Sequence, residues 1–287
     1  MPTQQQGVLE LPGFKPVPWI VDRPDGPSHK LAVLLAHGAG GDASSGNLPT
    51  IAAAVAEVAP CLRFTARGGS LQHRINVTKA LLAAAPTLLG LQHVERWVLA
   101  GHSMGARGAA SIAGEQPAAV PVAACLLLSY PLHPPGKPSD LRDALLHQLR
   151  VPTLLVRGSK DAFSTQALWD AALQGMHAGW RQVTVEGGDH GLKVSGQDSA
   201  QRSTAALHSV CTEVQQFVRE AAQRAQEQRA GEQRQRQQQQ AAAGASQKEE
   251  WQAAAAKAAA GKKRGRAPAA KEAASKPKKA GKKQRRS

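Results

Sequence analysis

Gly101-His102-Ser103-Met104-Gly105 decides the reading of this chain. It follows a short apolar run, Trp97-Val98-Leu99-Ala100, and precedes the small-residue stretch Ala106-Arg107-Gly108-Ala109-Ala110-Ser111-Ile112-Ala113. Strand, sharp turn, helix is the context in which G-x-S-x-G forms a nucleophile elbow, with the serine hydroxyl raised above the end of a parallel sheet. Such a turn holds its serine in a strained backbone conformation costing about 1–3 kcal/mol, which only tight surroundings enforce. Gly101 and Gly105 permit it, because a β-carbon at either place would crowd the neighbouring strand or helix.

Working outward, strand-like and helix-like segments alternate. Pro18–Val21, Leu31–Ala36, Cys61–Thr65, Trp97–Ala100, Ala124–Ser129, Pro152–Arg157 and Gln182–Glu186 read as strands, several of them continuously apolar as strands buried on both faces are. Ile51–Val58, Leu71–Leu89, the segment after the elbow, Leu141–Leu149, Ala167–His177 and Ser203–Glu220 read as helices. This alternation predicts an α/β fold: a mostly parallel sheet with helices on both faces. No insertion is long enough for a cap domain, so the site mouth is expected to be open, with 131–138 as a partial lid. The expected organisation is an extension over 1–14, one domain over 15–220, a Gln/Ala-rich helical or disordered segment over 221–260, and a basic disordered tail over 261–287.

Charge follows the same division. The 287 residues carry a net charge of +15. Residues 221–287 hold 18 Lys+Arg against 5 Asp+Glu, whereas the first 220 hold 18 against 16. Arguments about polyanionic partners therefore rest on the tail alone. Its clusters, Lys262-Lys263-Arg264-Gly265-Arg266 and 276–286, suit contact with an import receptor or salt-sensitive phosphate binding, which favours a nuclear address over the cytoplasm. Trp251 stands alone, which argues against base stacking on single strands. The three cysteines, Cys61, Cys125 and Cys211, show neither metal spacing nor a disulfide framework, in keeping with a reducing intracellular compartment. The first fifteen residues lack the pattern of a signal peptide, and no stretch approaches the roughly 18–20 apolar residues of a membrane span.

A serine hydroxyl needs a base to take its proton and an acidic group to orient that base. Around such an elbow the chain order is Ser, then Asp or Glu, then His, each beyond a strand end. Asp161 follows the strand at 153–157 and the turn Gly158-Ser159-Lys160. His190 follows Val183-Thr184-Val185 and the loop Glu186-Gly187-Gly188-Asp189. Ser103, Asp161 and His190 are the expected triad. Asp189 adjoins His190 too closely to reach the imidazole edge and reads as a turn residue. Asp140 and Asp143 suit a helix start. The side chain of His102 is expected to point away from the reacting centre.

The oxyanion of acyl transfer needs preorganised donors. The N–H of Met104 is one. The other is expected from the glycine-rich loop His37-Gly38-Ala39-Gly40-Gly41, at Ala39 or Gly40. That loop does not continue as G-x-G-x-x-G, which argues against a dinucleotide. Arg107, one helical turn beyond Ser103, and Arg67, after a strand end, are candidates for an anionic substrate group, although structural ion pairing explains either. His133 is a further candidate for substrate contact. No cofactor and no metal are implied.

Several segments together resemble a known family: His37-Gly38-Ala39-Gly40-Gly41-Asp42, Cys61-Leu62-Arg63-Phe64-Thr65, His102-Ser103-Met104-Gly105-Ala106-Arg107, Ser129-Tyr130-Pro131-Leu132-His133, Gly158-Ser159-Lys160-Asp161 and Asp189-His190. They are similar to the α/β-hydrolase-like family of testis-expressed protein 30 and non-specific lethal complex subunit 3, itself similar to the dienelactone-hydrolase-like enzymes. The resemblance spans about residues 15–220. It implies an α/β-hydrolase fold with Ser103, Asp161 and His190 as nucleophile, acid and base, and it lends weight to Arg107. The chain departs from the pattern at His102, where the family often has Arg. Two functions follow as expectations: a serine hydrolase acting on a small ester, thioester or related acyl group, or an interaction module of a chromatin-associated complex that keeps the fold and does little chemistry.

Overall fold

The computed structural model describes residues 3–25, 30–88, 91–115 and 120–264, with side chains to 257. Its strands are β1 (Thr3–Leu9), β2 (Val17–Arg23), β3 (Leu31–Ala36), β4 (Cys61–Phe64), β5 (Arg96–His102), β6 (Val122–Leu128), β7 (Thr153–Gly158) and β8 (Trp180–Val185). Its helices are α1 (Leu48–Val55), α2 (Leu71–Ala84), α3 (Met104–Ala113), α4 (Ala144–His147), α5 (Gln166–Gln174) and α6 (Ser199–Arg264). The strands form one sheet in the order β1-β2-β4-β3-β5-β6-β7-β8. β1 and β2 run antiparallel at one edge, and every pairing from β4 onward is parallel.

The apolar runs are buried on both sides because helices cover both faces. Alternate residues along one strand enter different cores, as the two-residue period of a strand requires. Leu34, Leu99 and Leu127 pack with α2, α3 and α5. Val33, Leu35, Val98, Ala100 and Leu126 pack on the other face with α1 and with Val210, Val214, Phe217 and Val218 of α6. This is the α/β-hydrolase architecture.

Four differences from the sequence reading have physical causes. Residues 3–9, expected as part of an extension, pair with β2 in full register. Main-chain bonds set the register of this edge strand, and Gln4 adds a side-chain bond to Asp22 Oδ1. The helix expected over 71–89 stops at Ala84 and passes into a 3₁₀ turn, Ala85–Thr87, at Pro86. The helix expected over 141–149 is only Ala144–His147, since Arg142 is engaged elsewhere: its N–H donates to the Leu132 carbonyl and its carbonyl accepts from the Tyr130 hydroxyl. The 131–138 loop packs beneath Phe163 rather than over the cavity, with the Leu132 N–H donating to the Phe163 carbonyl.

The chain divides into two units, Met1–Arg229 and Ala230–Ser287. Within the second, residues 230–264 continue α6, and 230–257 are mostly exposed. The basic cluster at 276–286 lies outside the described residues, as do Gly265 and Arg266 of the other cluster. Among the described residues no helix is long and apolar enough to cross a membrane.

Candidate active site

Ser103 sits between β5 and α3 with φ 55° and ψ −116°. Its flanking glycines are obligatory. A β-carbon on Gly101 would lie 2.3 Å from the Gly105 carbonyl carbon, and one on Gly105 would lie 2.4 Å from the Ala36 carbonyl oxygen. Strand, turn and helix thus touch backbone to backbone, and the turn can close in one way.

The other two chain ends arrive at the same rim of the sheet. Asp161 follows β7 and His190 follows β8, and their loops are tied together. The Lys160 N–H donates to the Gly188 carbonyl at 2.8 Å, and the Gly187 N–H donates to Ser159 Oγ at 2.8 Å. The result is a continuous chain of contacts. His190 Nε2 is 2.8 Å from Ser103 Oγ, and His190 Nδ1 is 2.8 Å from Asp161 Oδ2. Asp161 Oδ1 accepts the Phe163 N–H at 2.9 Å. Burial alone would raise the Asp161 carboxyl; hydrogen bonds from His190 and the Phe163 amide outweigh it and hold the carboxyl below its ordinary value. Phe163 stands edge-on to the His190 ring, with centroids 4.6 Å apart.

Ser103 and His190 open into a cavity of about 380 Å³. Leu48, Ile51, Leu128 and Leu192 give it apolar walls, while Ser45, Asn47 and His102 add polar atoms. No Lys, Arg, Asp or Glu lines it among the described residues.

The remaining sequence candidates separate on this geometry. Met104 is the first residue of α3, where an N–H has no helical acceptor. Ala39 lines the cavity; Gly40, at φ 71°, does not. Arg107 is half-buried beside the Tyr130 hydroxyl and away from the cavity lining. Arg67 is exposed in the loop after β4, within electrostatic reach of Asp42. His133 is buried and also outside the lining: its Nδ1 donates to the Pro134 carbonyl at 2.8 Å, and its ring packs against Phe163. Asp189 is a turn residue, its Oδ1 accepting the N–H groups of Gly191 and Lys193.

Two histidines matter more than their sequence positions suggested. His102 does not point away: it lines the cavity and contacts the His190 loop. His37, at the end of β3, donates from Nδ1 to the Gly38 carbonyl at 2.8 Å, while Nε2 accepts the Ala66 N–H at 3.1 Å. Gly38 C=O and Ala39 N–H share one peptide plane, so this bond also fixes the direction of the Ala39 N–H. Burial and the adjacent Arg74 guanidinium push His37 down and keep it neutral. The signal for His37 was its place as the first residue of a glycine-rich turn directly after a buried strand. Among the described residues no group of three or more His, Cys, Asp and Glu side chains is placed to hold a metal ion.

The fold and this arrangement define an α/β-hydrolase domain. Residues 29–219 match the family described as alpha/beta hydrolase domain, and the chain belongs to it. Solved structures share the architecture at low identity. Est1E from Butyrivibrio proteoclasticus has a TM-score of 0.60 at 18% identity, covering 75% of this chain and 98% of its own. Dienelactone hydrolase from Anabaena variabilis has a TM-score of 0.55 at 17% identity, covering 74% and 96%. An α/β serine hydrolase without lid from Xanthomonas campestris has a TM-score of 0.55 at 16% identity, covering 75% and 94%. At these identities the likeness is one of fold.

Proposed function

We propose that this chain is a serine hydrolase that cleaves an ester or thioester of a small uncharged acyl group. The observation that carries the reading is the unbroken run Ser103 Oγ, His190 Nε2, His190 Nδ1, Asp161 Oδ2, with both contacts at 2.8 Å. His190 takes the hydroxyl proton as Ser103 Oγ attacks the acyl carbon. The N–H groups of Met104 and Ala39 receive the negative charge of the tetrahedral oxygen, aided by the N-terminus of α3. His190 returns the proton to the departing alcohol or thiol. Water, deprotonated by His190, then releases the acid from Ser103. Asp161 holds the imidazole in the tautomer this requires.

The substrate class follows from the lining. An anionic acyl chain would enter an apolar-walled cavity with no cationic side chain to meet it, and a buried unpaired charge is costly. The resemblance of several segments to the family of testis-expressed protein 30 and non-specific lethal complex subunit 3 supports a place near that branch. A fluorophosphonate probe together with p-nitrophenyl butyrate tests the reading. The wild type is expected to label and to turn over, and Ser103→Ala to do neither. A p-nitrophenyl ester with a carboxylate-terminated acyl chain is expected to react at least tenfold more slowly. Absence of labelling at Ser103 overturns the mechanism, and preference for the carboxylate ester overturns the substrate class.

A further inference from the structure

The ring of His102 stands between the two loops that flank Ser103. Its Nε2 lies 2.9 Å from the carbonyl oxygen of His190. A carbonyl oxygen only accepts, so Nε2 carries a proton. Nδ1 faces the oxyanion loop: a β-carbon on Gly38 would lie 3.1 Å from it. On the other side the His102 and His190 rings are 5.2 Å apart, centroid to centroid. The peptide after His190 is fixed further by the Gly191 N–H, which donates to Asp189 Oδ1 at 2.8 Å, and by Asn47, which donates to the Gly191 carbonyl at 3.0 Å. Of these ties, only the one from His102 comes from the strand that presents the nucleophile.

We propose that His102 is a positioning residue: its Nε2–H bond to the His190 carbonyl couples the end of β5 to the loop that carries the base. This holds the imidazole of His190 at reacting distance from Ser103, and it rests on the hydrolase reading above. The charge balance suits the role. Burial and the neighbouring His190 imidazole lower the pKa of His102, against the opposing pull of the carbonyl bond and of Asp161 and Asp189. His102 therefore stays neutral, with its proton on Nε2, while His190 takes up the serine proton.

The test uses the full chain and two independent readouts. Long-range 1H–15N spectra of the histidines, with His102 assigned by its disappearance in a variant, report the tautomer. Nε2–H is expected, and Nδ1–H overturns the proposal. The second readout compares side chains by the position of their donor. Gln reaches the place of Nε2, Asn only that of Nδ1, and Leu offers none. Fluorophosphonate labelling is expected to slow about tenfold or more in His102→Leu and His102→Asn, as a small misplacement of reacting groups does. In His102→Gln it is expected to return to within about threefold of wild type. With p-nitrophenyl butyrate the loss is expected in kcat more than in KM, with melting temperatures close to wild type. Leu or Asn variants that label as fast as wild type overturn the proposal. So does a Gln variant as slow as Leu. A wild-type chain that fails to label overturns the hydrolase reading, and the tautomer spectrum then still decides whether β5 is tied to the His190 loop.

Discussion

Asp161 is buried and accepts two hydrogen bonds, and this sets how the domain responds to acid. Its carboxyl lies below the ordinary value even though burial opposes this. A carboxyl depressed in the folded state stabilises the fold fully above its unfolded value of about 3.9. That contribution is lost as pH falls through the lower folded value. Stability is therefore expected to decline below about pH 4, and Asp161→Asn to remove its share of the decline; urea midpoints between pH 5 and 2.5 measure both slopes. At neutral pH the same substitution sets an amide where a carboxylate should fix the tautomer of His190. Turnover of p-nitrophenyl butyrate is expected to fall about 10³–10⁴-fold. Ser103, Asp161 and His190 were singled out from sequence because each follows an apolar strand, and a parallel sheet brings such strand ends to one rim. The rings of His37 and His102 could not be aimed from sequence. They sit where a strand gives way to a glycine-containing turn, His102 at the end of β5 and His37 just after β3, and long-range backbone contacts decide their direction.

The elbow joins two elements through bare backbone, and its glycines divide cleanly. Alanine at Gly101 or Gly105 drives a β-carbon into main-chain atoms at 2.3–2.4 Å. No side-chain rotation relieves that, so each variant is expected to lose about 3 kcal/mol or more, or to fail to accumulate as folded protein. Gly108, in the middle of α3, has nothing within 4 Å of where its β-carbon would lie. Gly108→Ala is expected to stabilise the domain by about 0.5–1 kcal/mol, because alanine loses less backbone freedom on entering a helix. Thermal melts of the three variants beside wild type check both directions. β3, β5, β6 and β7 were legible from sequence because both faces of the sheet are covered there, so the residues read as apolar runs. β1 was not legible. It is an edge strand, and its Gln4-Gln5-Gln6 signature is that of a solvated segment; its register comes from main-chain pairing with β2.

Among the described residues, the buried core lies in the first unit. Arg63 shows how tightly that unit is tied. Buried in β4, it donates from Nε and Nη2 to Asp22 Oδ2 of β2, and from Nη1 to the Ala43 carbonyl in the loop beside the cavity. Gln4 of β1 donates to the other Asp22 oxygen. A guanidinium so placed has every reason to keep its partners, since an uncompensated buried charge is strongly destabilising. The compositional break near residue 221 marked the change in character from sequence. It fell short of the structural boundary because Ala222 and Ala225 of α6 still pack against the core, and Arg229 pairs with Glu95 at 3.2 Å. Every residue lining the cavity and every buried core residue among those described lies before residue 230. A chain ending after Arg229 is therefore expected to melt within about 2 °C of the full-length protein, since no buried core residue among those described is removed. It is also expected to label with a fluorophosphonate at the full-length rate. Parallel melts and labelling time courses of the two chains measure this. A shortened chain that melts far lower or labels more slowly would mean that residues 230–287 contribute to the domain's stability or to its site.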